Sequence, residues 1–510
     1  MKVISIGTDR KIFEKNSDVQ QRLIEYGKFF DEMHVIVFNK RDTKNEIKIT
    51  KISENVWAHP TNSNSKLFYV WDAFKICKKV YSNDFIVTVG DSFETGMVGV
   101  LTKLFLGLPL HVQVHTDLMH KYFRNLSVLN KLRFFVSEFV LRYADRVRVV
   151  SERIKQSIEQ FSKNIDVLPI QTKLKEEKIE RLKDWENIKN ILTVCRLEKE
   201  KNLETAIKAF KTISEKFPEA VFAIVGDGSE RENLEKFVVK LGLENKVVFA
   251  GWRDDLEKYY RNADIYISTS LYEGYGISTV EAAYFGKPLI LSETGVAGEI
   301  FKDGESALVC DAKDTACFAK NILKIYQNKN LAQKMGQSAK LAADKHLNSG
   351  VNYFREYADS VLKTAESFKK RGFVARFLDF KKTFWHSFIF LRYLVCGVTA
   401  AVVNISSLYV FTETAGIWYL YSSILAFFLA LIVSFSLQKF VVFKDNGMEK
   451  MHHQFSKFFV IAVLGVATNT ILVFVCVEAL GVWYILSQII AGIFVMFQNF
   501  AFYKLFIFNK

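Results

Sequence analysis

At 510 residues the chain is too long for a single hydrophobic core, and roughly three domains are expected. Hydrophobic residues make up 50% and aromatics 14%, with 46 Phe, an excess that lies mostly beyond Trp385 and excludes a uniformly soluble protein. A formal charge of +14 calls for an anionic partner, either a nucleotide or an acidic membrane surface. No basic/aromatic ladder or zinc spacing supports nucleic acid. Cys77, Cys195, Cys310, Cys317, Cys396 and Cys476 show no metal-type or redox-type pairing, which fits a reducing compartment. Met1 to Ile6 reads as a strand without an apolar signal-peptide core, so the soluble part is expected in the cytoplasm.

Lys2-Val-Ile-Ser-Ile6 is a buried strand ended by Gly7-Thr-Asp9, and a helix is expected around Ser17 to Phe30. Strands at Met33–Phe38, Phe85–Val89, Leu110–Val114 and Val147–Val150 continue the series, separated by segments of helical length. This pattern predicts a doubly wound sheet over residues 1–170. A second series follows at Ile191–Val194, Val221–Val225, Val247–Phe249, Asp264–Ile267, Pro288–Leu291 and Ala307–Val309, within residues 171–350. The charged run Lys173 to Lys189 is the expected hinge. Two such α/β domains in tandem leave a cleft between facing strand ends, where a ligand would lie.

Residues 351–386 read as a basic helical stalk, with Lys369-Lys-Arg371, Arg376 and Lys381-Lys382 suited to anionic membrane lipids. Four apolar stretches of bilayer length follow, near Phe388–Val410, Tyr419–Leu437, Phe458–Val477 and Trp483–Phe502, so residues 387–510 are expected to form a four-helix transmembrane domain. Lys and Arg precede the first stretch, fill the loop Lys439–Lys457 and recur at Lys504 and Lys510, while the loops Thr412–Trp418 and Glu478–Trp483 carry none. The positive-inside rule then puts both termini in the cytoplasm, with Trp418-Tyr419 and Trp483-Tyr484 at the far interface. A shift of about 65 residues aligns Asn404 with Asn469, Glu413 with Glu478, Gly416-Ile-Trp-Tyr419 with Gly481-Val-Trp-Tyr484 and Lys439 with Lys504, a parallel duplication of two-span repeats. Asn404 and Asn469, near mid-span, are costly in lipid unless they face each other or a polar path.

The residues suited to chemistry cluster in the second series. Arg196 and Lys201 follow its first strand, a forked donor and a point charge suited to a diphosphate. Gly226 and Gly228, in Val225-Gly-Asp-Gly228, allow close backbone approach to a ligand. In Glu273-Gly-Tyr-Gly-Ile-Ser-Thr-Val-Glu281, the amides of Tyr275, Gly276 and Ile277 open a helix and can bind phosphate. Glu281, one turn inside, can accept hydrogen bonds from a ribose diol; a solvated helix face with capping acids is the structural alternative. In the first series His115 ends a strand, as a catalytic residue or a structural hydrogen bonder, and Asp91 and Asp117 are weaker cleft candidates. Lys121 to Val136 interleaves Lys, Arg, Phe and Leu, either a membrane-docking amphipathic helix or one packed on its own sheet.

Over residues 1 to about 350 these motifs resemble the family-4 glycosyltransferases of the GT-B fold, two Rossmann-like domains. The resemblance implies an acceptor-side first domain and a donor-side second domain. It implies that Glu273 faces the donor sugar, Glu281 holds the ribose, Arg196 and Lys201 bind the diphosphate, and His115 contacts the reacting sugar or acceptor. Such enzymes transfer sugar from a nucleotide-sugar with retention of configuration, with no cofactor and usually no bound metal. Two positions depart from the family pattern: Gly7-Thr-Asp9 stands for its N-terminal glycine pair, and Pro169-Ile-Gln-Thr-Lys173 for its Pro-Asn-Gly-Val-Asp turn. From Phe388 onward the repeat resembles the GtrA-like membrane family, whose members are associated with polysaccharide synthesis and proposed to move polyprenyl-phosphate-linked sugars. The implied function is a membrane-bound retaining glycosyltransferase acting on a lipid-linked or membrane-proximal acceptor. The alternatives are a translocase with a non-catalytic sugar-nucleotide module, and a nucleotide-sugar epimerase.

Overall fold

The computed structural model describes all residues except 43–46, 171–189, 348–351, 369–371, 446, 450, 480–483 and 509–510. The expected hinge at 173–189, the basic run Lys369–Arg371, and Trp483 and Lys510 lie outside the described residues. The chain divides into two compact units, Met1–Phe380 and Lys381–Lys510.

The first unit holds two sheets. One contains β1 (Lys2–Gly7), β2 (Glu32–Val37), β3 (Thr50–Ser53), β4 (Val56–Pro60), β5 (Phe85–Val89), β6 (Leu110–Val114), β7 (Arg146–Val149) and β8 (Ile165–Val167), in the order β3-β4-β2-β1-β5-β6-β7-β8. All its neighbours are parallel except the β3–β4 pair. Every residue of β5 is buried, as expected of a parallel strand covered by helices on both faces. The sequence reading anticipated β1, β2, β5, β6 and β7 but not β3, β4 or β8. Thr50-Lys-Ile-Ser53 and Ile165-Asp-Val167 are short and partly polar, so neither stands out as an apolar run.

The second sheet contains β9 (Asn190–Val194), β10 (Val221–Val225), β11 (Val247–Gly251), β12 (Ile265–Ser268), β13 (Leu289–Ser292) and β14 (Leu308–Cys310). Its order β11-β10-β9-β12-β13-β14 is wholly parallel. The chain winds outward from β9 through β11, then returns to the other side of β9 at β12. This reversal parts the loops after β9 and β12 and opens a crevice at their carboxyl ends.

Two expectations are corrected. The stretch expected to start a stalk includes the helix Tyr353–Ser367, which instead buries Tyr357, Ala358 and Val361 in the core of the first sheet, beside Val3, Val35 and Ile86. Its apolar residues recur at helical spacing, and the sheet supplies the face they need. Arg148, almost wholly buried, donates to Gln113 Oε1 at 3.0 Å, to the Leu168 carbonyl at 2.8 Å and to the Tyr353 hydroxyl at 2.9 Å, tying that helix to β6 and β7. The reading of six unpaired cysteines is also overturned: Cys310 and Cys317 form a disulfide between the end of β14 and the helix Thr315–Gln327, brought together by the intervening turn.

Among the described residues the second unit has four helices long and apolar enough to cross a membrane, with candidate spans Arg392–Thr414, Leu425–Val442, Met451–Phe474 and Ile490–Ile507. The repeat seen in the sequence recurs in the backbone. The first hairpin's helices end in π-turns at Val410–Thr414 and Gln438–Val442, and the second's at Val475–Ala479 and Tyr503–Ile507, spaced by the sequence offset. Phe435, Phe458 and Tyr503 form a common aromatic core, Phe458 and Tyr503 stacking at 4.5 Å. Lys439 is fully buried, and its Nζ donates to Gln454 Oε1 at 2.7 Å and Asp445 Oδ2 at 3.1 Å. Asn404 and Asn469 are each partly exposed on the unit's surface.

Candidate active site

The crevice between β9 and β12 widens into a cavity of about 480 Å³. His115, Arg196, Lys201, Gly226, Glu273, Tyr275, Gly276, Ile277 and Glu281 all line it, whereas Gly228, Asp91 and Asp117 do not.

The loop after β9 carries Arg196 and Lys201. Asn202, held in the left-handed region at φ 51°, donates from Nδ2 to the carbonyls of Thr269 and Ala312 at 3.1 and 2.6 Å. Thr269 Oγ1 in turn donates to the Lys201 carbonyl at 3.0 Å. These bonds join the loops after β9 and β12 and fix the Lys201 backbone. Its Nζ lies 2.5 Å from Glu273 Oε1, which also accepts from Ser270 Oγ at 2.8 Å. Burial works against the Lys201 charge, but the adjacent Glu273 carboxylate leaves its pKa raised above the ordinary lysine value. Arg196, two-thirds exposed, reaches Glu200 at 3.2 Å, a weak contact that leaves the guanidinium available to a ligand.

After β12, Gly276 at φ 97° caps the helix Ile277–Tyr284, a conformation that favours glycine. The first-turn amides of this helix point out of its N-terminus and suit an anion. Glu281 accepts a 2.8 Å hydrogen bond from the Tyr260 hydroxyl. Burial raises the Glu281 carboxyl above the ordinary range, against the opposing effect of that bond. Gly226 is required by packing: at φ 132°, a Cβ there would lie 1.9 Å from the Cys195 carbonyl oxygen. Gly228 serves the same loop contact, since its Cβ would meet the Leu197 oxygen at 2.4 Å.

The first sheet closes the cavity from the other side. A Cβ on Gly274 would lie 1.7 Å from the His115 carbonyl oxygen, and Ser151 Oγ donates to the Gly274 carbonyl at 3.1 Å. His115 is exposed at the cavity; the protein around it, with Arg148 and Arg22 adding to the effect, lowers the imidazole below its ordinary value, so it is neutral near pH 7. Asp91 instead caps the helix Glu94–Leu101, accepting from the amides of Phe93 and Thr95 at 2.8 and 3.1 Å. Asp117 is buried away from the cavity, its carboxyl raised first by desolvation.

Sequence reading missed Trp252, Arg253 and Tyr272, which also line the cavity. Trp252 directly follows Gly251, the strand-ending glycine of β11 at φ 72°, and its ring is 62% exposed. A glycine at a strand end followed by an exposed aromatic was the available signal. Tyr272 packs edge-on to Phe123 at 5.3 Å, joining the cavity to the helix Lys121–Leu126. The arrangement offers cations and helix amides for a diphosphate, a carboxylate for a diol, an aromatic wall for a planar ring, and a neutral imidazole opposite. Among the described residues no group of three or more His, Cys, Asp or Glu could hold a metal ion.

Comparison with known proteins agrees with this architecture. Residues 175–342 match the family described as Glycosyl transferases group 1, and residues 392–508 match the GtrA/DPMS transmembrane domain. A putative glycosyltransferase EpsD of Bacillus subtilis is 29% identical over 143 residues, covering 28% of this chain and 38% of its own length. A poly(glycerol-phosphate) alpha-glucosyltransferase of the same organism is 30% identical over 166 residues, or 32% of this chain and 24% of its own. The chain thus spans well under half of either relative. Among solved structures, sucrose-phosphate synthase from Thermosynechococcus elongatus superposes with a TM-score of 0.58 at 19% identity, over 72% of this chain and 98% of that one. HepE from Anabaena, in complex with UDP and glucose, gives 0.55 at 18% identity over 71% and 99%. The first unit therefore has the GT-B fold, and the chain joins a glycosyl transferases group 1 domain to a GtrA/DPMS transmembrane domain.

Proposed function

We propose that the protein is a membrane-bound retaining glycosyltransferase that takes sugar from a nucleotide-sugar at the cytoplasmic face and passes it to a lipid-linked or membrane-proximal acceptor. Residues 1–170 form the acceptor side and residues 171–350 the donor side. The four apolar helices anchor the enzyme or move its product. The observation that carries this reading is the single cavity in which Arg196, the Lys201–Glu273 pair, the amino end of Ile277–Tyr284 and Glu281 converge opposite His115. The UDP and glucose named for HepE support a nucleoside diphosphate sugar as donor.

In this reading the diphosphate lies across the amino end of the 277–284 helix, between Arg196 and Lys201. Its leaving oxygens gain negative charge as the sugar–phosphate bond breaks, and these fixed donors stabilise that charge. Glu281 accepts from the ribose hydroxyls, and the Trp252 ring forms a wall for the base. Glu273 faces the sugar while holding the Lys201 ammonium in position. Neutral His115 hydrogen-bonds the sugar or acceptor without acting as a general acid near pH 7.

The test is a panel of nucleotide-sugars offered to the full-length protein in lipid, with mass detection of released nucleotide and glycosylated product. One donor should be consumed, and Glu273→Gln should lower turnover by about 100-fold, the scale of losing a transition-state charge contact. Native turnover in Glu273→Gln would overturn the site assignment. Isomerised sugar formed without acceptor would indicate an epimerase, and no nucleotide release with any donor a translocase.

A further inference from the structure

The turn that opens the helix Ile277–Tyr284 has little stiffness of its own. Tyr275 stands between Gly274 and Gly276, and Gly276 already sits at φ 97°. The Tyr275 side chain is packed inward, 3% exposed, and its hydroxyl lies 2.5 Å from His346 Nε2. His346 lies 71 residues further along the chain, at the end of the helix Lys329–Leu347.

The 329–347 helix braces the 277–284 helix at both ends. At one end a Cβ on Gly336 would lie 2.2 Å from the Gly286 carbonyl oxygen, so the two backbones touch just past Tyr284. Along a helix, the stretch from Gly336 to His346 rises about 15 Å, close to the span from Gly286 back to Tyr275. The two helices therefore run antiparallel, which brings His346 level with Tyr275. The Tyr275 main chain is held from the other side. Its carbonyl accepts from the Val296 amide at 2.9 Å, and Arg153 Nη2 donates to the next carbonyl, that of Ala297, at 2.7 Å. Glu299, in the same loop, accepts from the amides of Glu152 and Arg153 at 3.0 and 3.3 Å. Burial lowers the His346 imidazole below its ordinary value, against the opposing pull of Glu299, while burial, with Glu299 adding to it, raises the Tyr275 phenol. A protonated phenol beside a neutral imidazole hydrogen-bonds in either tautomer, so the tie holds near pH 7.

We propose that His346 is a positioning residue for the donor site: through the Tyr275 hydroxyl it fixes the turn whose amides meet the diphosphate. The inference rests on the donor-site reading given above. The amides of Tyr275, Gly276 and Ile277 hold a diphosphate well only if they are aimed before it arrives, since ordering them on binding costs free energy. His346 stands behind the turn, outside the cavity lining, and acts by holding Tyr275. A tyrosine buried for packing alone also needs a partner for its hydroxyl, and losing that partner would lower stability without touching ligand affinity. The glycines on either side of Tyr275 favour the positioning role, because neither brings a side chain to stiffen the turn and the hydroxyl is the turn's side-chain anchor on that face.

The experiment measures nucleotide binding to the full-length protein in lipid nanodiscs. UDP, GDP, ADP and dTDP are titrated calorimetrically into the wild type. The tightest is then offered to His346→Ala, His346→Gln, Tyr275→Phe and the Tyr275→Phe/His346→Ala double variant, with Lys201→Ala as a control for the site. His346→Ala and Tyr275→Phe should each weaken binding by about tenfold, the scale of one lost hydrogen bond. The double variant should fall within about twofold of either single one, because both changes break the same tie. His346→Gln, whose side-chain amide reaches where Nε2 stood, should bind within about twofold of the wild type. Native affinity in His346→Ala and Tyr275→Phe, beside weakened binding in Lys201→Ala, would overturn the role of His346 and leave the donor site standing. Losses that multiply in the double variant would do the same. A wild type that binds none of the four, or native affinity in Lys201→Ala, would overturn the donor site itself and the inference with it. Tyr275→Phe removes one oxygen from a packed ring, so weakened binding there reports the lost tie and not a failure to fold.

Discussion

His111 is fully buried in the first sheet, its Nδ1 2.8 Å from Thr88 Oγ1 and its Nε2 3.2 Å from Ser360 Oγ. Burial, with Arg148 and Arg146 adding to it, holds its imidazole down to about 3, and burial beside His34 holds His59 down to about 4. Both values lie below that of the unfolded chain, which therefore binds protons first on acidification. The stability from keeping these rings neutral is complete above about pH 6.5. It is lost as pH falls toward 3 and 4, at about 1.4 kcal/mol per pH unit for each ring. Thermal unfolding at pH 7.5 and 5.5 should show a lower midpoint in acid, and His111→Asn, less stable at pH 7.5, should lose less between the two. Nothing in Leu110-His-Val-Gln-Val114 marks His111 as fully buried, because its partner Ser360 lies far along the chain. Glu273 and Lys201 were each singled out in the sequence; their 2.5 Å contact was not, since it depends on where two loops of the sheet meet.

At the scale of elements, the helix Tyr353–Ser367 follows the second sheet in sequence but completes the core of the first. Its Tyr357 packs 4.3 Å from the Tyr26 ring, and its hydroxyl accepts from Gln113 Nε2 at 3.2 Å. Tyr357→Ala should cost about 3–5 kcal/mol, the usual loss for a large buried aromatic, read as a lower denaturant midpoint. Its effect should fall on the first sheet, because the ring packs in that sheet's core. The strands of the second sheet were legible because each is a short apolar run and, β9 apart, each is ended or followed by Gly, Asp or Ser, a local pattern. The destination of the 353–367 helix was not, because an amphipathic face specifies that something apolar covers it and not which sheet supplies the cover.

For the whole molecule, the duplicated hairpins and the absence of Lys and Arg from the Thr412–Trp418 loop give a prediction about sidedness. A reporter fused after Lys510 and one inserted between Thr414 and Trp418 should read opposite sides of the membrane, and the C-terminal one the side of the first unit. Reporters reading the same side would exclude four spans with alternating orientation.

Two features of this chain followed from its sequence alone, the tandem parallel sheets with a glycine-interrupted turn before a helix and the doubled apolar hairpin. Both are written in short-range periodicities: residues two or four apart set strand or helix, a few glycines set the turns, and a constant offset marks the duplication. The tertiary structure alone decided the Cys310–Cys317 bond, the return of Tyr353–Ser367 to the first sheet, and the entry of Trp252 and Tyr272 into the cavity. Apart from the disulfide, whose cysteines lie close in sequence, each depends on contacts between residues far apart in the chain. Which of many apolar or charged groups meet there is set by how the sheets close, and no local pattern carries that information.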